Sequence, residues 1–145
     1  MKVTLLCVGK LTKTDEGRLA LDYAARSTAT GRTHGLGPVE IVEVEEGALL
    51  DKAEGAYLIA CDEHGQARSS RDFAAHLGRL RDDGERRLAF IIGPADGLDE
   101  RVLAAARERL AFGPQTWPHA LVRVMLAEQI YRAATIMARS PYHRD

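Results

Sequence analysis

Cysteine is scarce in this chain. Only Cys7 and Cys61 occur, each inside an apolar run (LLCVG and LIACD) and neither with a CxxC partner. A disulfide framework and a zinc site are therefore without support, and buried free thiols are the expected state. No other grouping of His, Cys and acidic residues suggests a metal, and none is expected. Charge of one sign is also lacking: 20 Lys and Arg stand against 21 Asp and Glu, a formal net charge of −1. Nothing global therefore announces a nucleic-acid partner. No apolar run approaches the roughly 20 residues needed to cross a bilayer. The N-terminal stretch Val3–Val8 is too short for a signal-peptide core and has no small-residue cleavage site. It reads as a buried first strand, and a cytoplasmic location is the expectation. Repeats, low-complexity tracts and long linkers are missing, so residues 1–145 are expected to form a single domain large enough to bury a core. The GxGxxG, P-loop and GxSxG patterns are absent as well, which disfavours the phosphate-binding and hydrolase chemistries they carry.

The residues present alternate between strand and helix patterns. VTLLCVG reads as the first strand and Asp15–Ser27 as a helix with Leu19, Tyr23 and Leu21 on its apolar side. TATGRTHGLGP is a loop by composition, and VEIVEVEE is a strand whose partial alternation suits a sheet edge. AYLIACDEHG and RLAFIIG are continuous apolar runs of the kind that form strands covered on both faces. Between them Ser69 and Asp72 have the spacing of a capping box, opening a helix with Phe73, Leu77 and Leu80 along one face. The pattern predicts another helix over Asp99–Ala111, with Leu103, Ala106 and Leu110 aligned, and the longest helix over His119–Arg139. Such a series predicts an α/β fold with a mostly parallel sheet and helices on both faces. Ligands of such sheets bind beyond the C-terminal strand ends, which here are Cys61-Asp62, Gly93-Pro94 and the FGPQTW loop.

Four features could carry chemistry. IIGPADGLD places Gly93 directly after a buried strand and Gly97 in the turn, which serves either close ligand approach or an ordinary strand-to-helix turn. FGPQTWPH is stiffened by one glycine and two prolines. It could grip an adenine edge with its backbone, or simply start a helix with Trp117 as a packing anchor. The long helix is apolar around most of its circumference, interrupted by Arg123, Glu128 and Arg132, so it needs covering on more than one side, and a second subunit is a plausible cover. Glu128 and Arg132 have the i,i+4 spacing of a helical ion pair. The tail SPYHRD sets an aromatic ring, an imidazole and a permanent cation in succession, either a frayed end or a cluster that stacks a base and holds a phosphate or carbonyl. Residues 119–145 carry four arginines against two acids, whereas residues 1–70 carry 8 basic against 11 acidic residues. That bias suits either a phosphate-facing surface or a solvated helix face.

Together VGK, IIGxxxGL, TWPHxLVRVxLxEQxYRAxxI and the terminal PYHR resemble one family, the bacterial large-subunit (23S) ribosomal RNA pseudouridine N3-methyltransferases of the SPOUT class. The likeness spans the chain and is dense from about residue 88 onward. It implies a C-terminal trefoil knot, a homodimer, and S-adenosylmethionine as methyl donor bound inside the knot near the partner's surface. By position, Cys61, Gly93 and the run Phe112, Gly113, Pro114, Gln115, Thr116, Trp117 are similar to the family's donor-binding set. Tyr142, His143 and Arg144 match its terminal residues for catalysis and RNA positioning. The implied substrate is ribosomal RNA or the assembled ribosome. The chain departs from the family where Gly93 is followed by Pro94 instead of a second glycine. It also has cysteine at a position that is often leucine, and a shorter, less basic stretch before LIACD.

For such a reaction an imidazole such as His143 could accept the N3 proton, and Arg144 could stabilise the charge left on a ring oxygen. The same class of enzyme acting on another RNA, such as transfer RNA, is one alternative. A non-catalytic dimeric ribosome-binding protein is another.

Overall fold

The computed structural model describes residues 1–145. Five strands, β1 (Lys2–Val8), β2 (Val39–Val44), β3 (Tyr57–Ala67), β4 (Arg87–Ile92) and β5 (Glu108–Ala111), form one sheet in the order β2-β1-β4-β3-β5. Every neighbouring pair is parallel. The helices are α1 (Asp15–Gly31), α2 (Leu49–Lys52), α3 (Ser70–Asp82), α4 (Glu100–Ala105) and α5 (His119–Met137). Both faces of the sheet are covered, as the continuous apolar strands require. Leu5, Phe90, Ile59 and Leu110 point into a core shared with α1, α3 and α5, while Leu6, Ala89, Ile91 and Leu58 pack on α2 and α4. No helix is long and apolar enough to cross a membrane.

The cap at Ser69 is present: its hydroxyl accepts from the Asp72 N–H at 3.1 Å, and Phe73, Leu77 and Leu80 are buried as the spacing predicts. The edge position of β2 likewise matches its alternation.

Three expectations need correction. Helix α1 runs to Gly31, well past Ser27, because Ser27 and Thr28 donate their hydroxyls to the carbonyls of Tyr23 and Ala24 at 2.8 and 3.1 Å and so do not compete with the helix. Its buried stripe is made of the small residues Gly17, Ala20, Ala24, Ser27 and Gly31, while Leu19 and Leu21 are 46% and 39% exposed. A Cβ on Gly31 would lie 2.3 Å from the Leu36 carbonyl oxygen, so close approach, not apolarity, selects the inner face. The helix expected over Asp99–Ala111 stops at Ala105, and Glu108–Ala111 becomes the edge strand β5. The Arg107 N–H donates to the Leu58 carbonyl at 2.9 Å, and Tyr57 and His76 both bond the Glu108 carboxylate, so a slot beside β3 overrides the helical propensity of ERLA. Strand β3 continues through Ala67, with a register shift against β5 between Cys61 and Gln66. Gly65 allows this, since a Cβ there would lie 2.6 Å from the Arg109 carbonyl carbon.

Candidate functional site

The C-terminal ends of β4 and β5 and the middle of β3 meet at one edge of the sheet, where they enclose a cleft of about 220 Å³. Its walls are Cys61, Asp62 and Glu63 from β3, the loop from Gly93 to Leu98 after β4, and Leu110 to Phe112 with Gln115 to Trp117 after β5. His119 and Val122 from the first turn of α5 complete it. The three strand ends singled out in the sequence are therefore the three sides of one cavity. FGPQTW counts among them because it follows β5, the strand whose residues read as helix.

Each loop is held by identifiable contacts. The Trp117 indole donates to the Phe112 carbonyl at 3.0 Å, closing the FGPQTW segment on itself, while the Thr116 hydroxyl donates to Glu63 at 2.7 Å across the cleft mouth. Gly113 at φ +90 and Gly97 at φ +88 occupy the left-handed region that glycine supplies without strain. Gly93 has a different reason to be glycine. A Cβ there would lie 2.6 Å from Leu98 Cδ2, so the loop's own side chain fills the space. Of the eight expected donor-binding residues, Cys61, Gly93, Phe112, Gln115, Thr116 and Trp117 line the cleft. Gly113 instead lines an adjoining groove on the far side of Phe112, and Pro114 lines neither. Asp62, which the strand-end rule named beside Cys61, lines it too, while Glu63, Asp96, His119 and Val122 line it unforeseen; Glu63 lies one residue past that strand end.

The cleft combines the apolar surfaces of Ile92, Leu98, Phe112 and Trp117 with the carboxylates of Asp62, Glu63 and Asp96. Arg109 answers Asp62 only at 3.6 Å. Such a lining suits a ligand that carries an aromatic ring and a positive charge. Burial pushes the Cys61 thiol up, which makes it a neutral wall and not a nucleophile.

One residue on from Val122 of the cleft, α5 carries one arm of a buried ion pair. Arg123 on α5, 1% exposed, donates to Glu43 on β2 at 2.8 Å and to the Gly9 carbonyl at 3.3 Å. Glu43 also accepts the Leu11 N–H at 2.5 Å. Partial burial opposes the charge on Glu43, but the bonds from Leu11 and Arg123 outweigh it and lower its pKa. This pair ties the first turns of α5, the end of β2 and the loop after β1 together.

The tail is fastened, not frayed. Tyr142 donates its hydroxyl to Glu128 at 3.0 Å, sets its ring edge-on to Tyr131 at 4.7 Å, and lies under the Arg132 guanidinium at 4.9 Å. Arg132 pairs with Glu128 at 2.5 Å, as the i,i+4 spacing predicts, and meets His143 Nδ1 at 3.2 Å. His143 Nε2 meets the Asp145 carboxylate at 3.0 Å, and Arg71 of α3 donates to the same carboxylate at 2.6 Å. Burial first, and then the bond to Glu128, pushes the Tyr142 phenol up to about 12. None of Tyr142, His143 and Arg144 lines the cleft. The cleft takes Val122 of α5 and the tail takes Glu128 to Arg132, so about 9–15 Å of helix separates them at 1.5 Å per residue.

A model of the family described as "Predicted SPOUT methyltransferase" matches residues 1–143. The chain belongs to the SPOUT methyltransferase family. Among the relatives of this SPOUT chain is the ribosomal RNA large subunit methyltransferase H of Caulobacter sp. (strain K31). It is 64% identical, with all of both chains aligned. The protein of the same name from Caulobacter vibrioides is 62% identical over all of this chain and 99% of its own. Similar solved structures are an RNA 2′-O ribose methyltransferase and a methyltransferase from Legionella pneumophila solved with its cofactor SAM bound. The first has 16% identity and a TM-score of 0.52, covering 91% of this chain and 56% of its own. The second has 13% identity and a TM-score of 0.53, covering 92% of this chain and 66% of its own. At these identities the structures establish the fold alone. They agree with the parallel α/β sheet that the apolar strands predict.

Proposed function

We propose that this SPOUT methyltransferase transfers a methyl group from S-adenosylmethionine to N3 of a pseudouridine in 23S ribosomal RNA, acting as a cytoplasmic homodimer on the RNA within the ribosome or its large subunit. The observation that carries the substrate is the full-length likeness to ribosomal RNA large subunit methyltransferases at 64% and 62% identity. The cleft fits the donor. Its apolar walls at Phe112, Trp117 and Ile92 offer a bed for adenine, and its carboxylates at Asp62, Glu63 and Asp96 answer the donor's positive charge. S-adenosylmethionine, when bound, supplies a methyl group activated by its sulfonium. The chain's own residues shape the cleft, exclude water with Trp117 and Leu98, and hold the target base.

The same geometry supports a dimer. The tail residues that would hold the base are anchored about 9–15 Å along α5 from the cleft that would hold the donor, and none of them lines it. A second copy placing its tail at this cleft completes the site. Leu121 and Trp117, on and just before α5, are among the large hydrophobic residues left exposed that a second copy would cover. Threading of the C-terminal segment as a trefoil knot belongs to the same reading.

Mass mapping of ribosomal RNA from cells lacking the protein tests the whole. One pseudouridine of the large-subunit RNA should lack its methyl group, and restoring the gene should return it. Full methylation there, with a methyl missing from a transfer RNA, would favour the other-substrate alternative. Calorimetry with S-adenosylmethionine separates an enzyme from a ribosome-binding protein, which has no need of the donor. Sedimentation should give twice the chain mass of 15.9 kDa.

A further inference from the structure

We infer that His143 serves the reaction as a hydrogen-bond donor through Nε2–H, not as the base that removes the N3 proton. The inference rests on the reading of the chain as a pseudouridine N3-methyltransferase. Its ground is the pair of partners that fix the imidazole. A guanidinium has donors and no acceptor, so the ring nitrogen that Arg132 meets at 3.2 Å, Nδ1, must accept and carry no hydrogen. A carboxylate only accepts, so the nitrogen that meets Asp145 at 3.0 Å, Nε2, must carry the hydrogen. Asp145 is itself held ionised. Arg71 and then His143 bond it, and its carboxyl is pushed down to about 2. The tautomer is thus set from both sides.

A base for N3 needs a lone pair turned toward the substrate. The one lone pair of neutral His143 is spent on Arg132, which Glu128 anchors through two of its nitrogens, at 2.5 and 3.4 Å. Protonating Nδ1 would aim an N–H at a guanidinium and break that bond. Tyr142 is no substitute, because its phenol is bonded to Glu128 and stays protonated until about pH 12. Nε2–H, by contrast, points at Asp145, a terminal side chain 67% exposed that a substrate carbonyl can displace.

That arrangement matches what the step requires. N3 of the pyrimidine lies between two ring carbonyls, and the charge left when N3 loses its proton spreads onto their oxygens. A donor aimed at one of them stabilises the anion in the way an oxyanion hole does. The proton of N3 passes to solvent water, and the N3 lone pair then forms the new N–C bond. The S–C bond breaks with its electron pair going to sulfur, leaving a neutral thioether. Arg144, exposed and next in the chain to His143, is a permanent cation available to the same anion.

The test compares His143→Gln with His143→Ala in the full-length protein. It measures single-turnover transfer of a labelled methyl group to ribosomes from cells lacking the enzyme, with the calorimetric affinity for S-adenosylmethionine taken for each. The glutamine amide nitrogen reaches the place of Nε2–H and cannot take up a proton. Turnover of the glutamine variant should stay within about ten-fold of the unaltered protein, the worth of one imperfect hydrogen bond. The alanine variant should fall by about 10²–10³-fold, as when an oxyanion donor is removed. Equal losses of about 10²–10⁴-fold in both variants, the contribution of a general base, would overturn the inference. So would an alanine variant that turns over normally. Failure of the parent reading looks different: the unaltered protein would bind no donor or transfer no methyl.

Discussion

Breaking the buried pair of Arg123 and Glu43 should cost more from the acid side than from the basic side. Glu43→Gln keeps an oxygen for the Leu11 N–H, but it strips the counter-charge from a guanidinium that is 1% exposed. One nitrogen of that guanidinium, Nε, already has no partner. Removing one member of a buried pair costs about 3–5 kcal/mol, because the other charge remains uncompensated. Arg123→Met leaves the opposite situation. The surviving carboxylate is 19% exposed and water can reach it, while methionine refills most of the volume. The loss is then that of hydrogen bonds to a charged group, about 1.5–3 kcal/mol. The double variant should be close to Arg123→Met and more stable than Glu43→Gln, since replacing both charges removes the desolvation cost with the attraction. Urea denaturation at one fixed protomer concentration measures this, the concentration mattering because association contributes to apparent stability. In thermal melts each kcal/mol corresponds to about 2–4 °C for a chain of this size. If Arg123→Met proves the more damaging by 1 kcal/mol or more, the guanidinium makes a net attractive contribution and the desolvation argument fails.

Three further outcomes follow from the site. Trp117→Ala removes both a cleft wall and the bond to the Phe112 carbonyl, and should weaken S-adenosylmethionine binding about 10- to 50-fold by calorimetry; an unchanged affinity would place the donor elsewhere. Arg144→Ala should slow methyl transfer at least about 100-fold while leaving donor affinity intact, because Arg144 does not line the cleft; normal turnover would remove the tail from the chemistry. Tyr142 keeps its proton, and with it the bond to Glu128, below the ordinary phenol pKa, and that contribution is lost only as pH rises through about 12. Tyrosinate absorbance should therefore show a late-ionising group that disappears in Tyr142→Phe, and an unaltered titration of the variant would contradict the docked tail.

How much was legible from sequence depended on which force decided each element. Strands buried on both faces announced themselves, because β1, β3 and β4 must be apolar along their whole length to sit between two helical layers. Through them the strand-end rule found the cleft. Helix α1 misled, because its inner face is chosen by how closely Gly17 and Gly31 let it approach the backbone, and that leaves its leucines outside. Strand β5 was hidden because its four residues have no pattern of their own. The open edge of β3 and the convergence of Tyr57 and His76 on Glu108 make them a strand. The docking of the tail was equally invisible to local reasoning, since every one of its tethers comes from residues at least 11 positions away or from the terminal pair itself. Family resemblance, not periodicity, singled those residues out.

Helix α5 shows why polar residues in an apolar helix repay tracing. α1, α3 and β4 pack against α5, burying Leu126, Ala127, Ile130 and Ala133. A charge within such a helix is costly unless something specific answers it. Arg123 is answered by one distant part of the chain, and Glu128 and Arg132, besides pairing with each other, are both answered by the C-terminal tail. Arg123 reaches Glu43 at the end of β2 and Gly9 after β1, Glu128 takes the Tyr142 hydroxyl, and Arg132 takes the imidazole of His143. Arg123 follows Val122 of the proposed donor cleft, and the other two hold the proposed base-binding tail, so one helix carries parts of both half-sites. A rod cannot fold back on itself to join its own two ends. The charges that fix the tail in place are therefore the same ones that, in the proposed dimer, would present it to the cleft of a second copy.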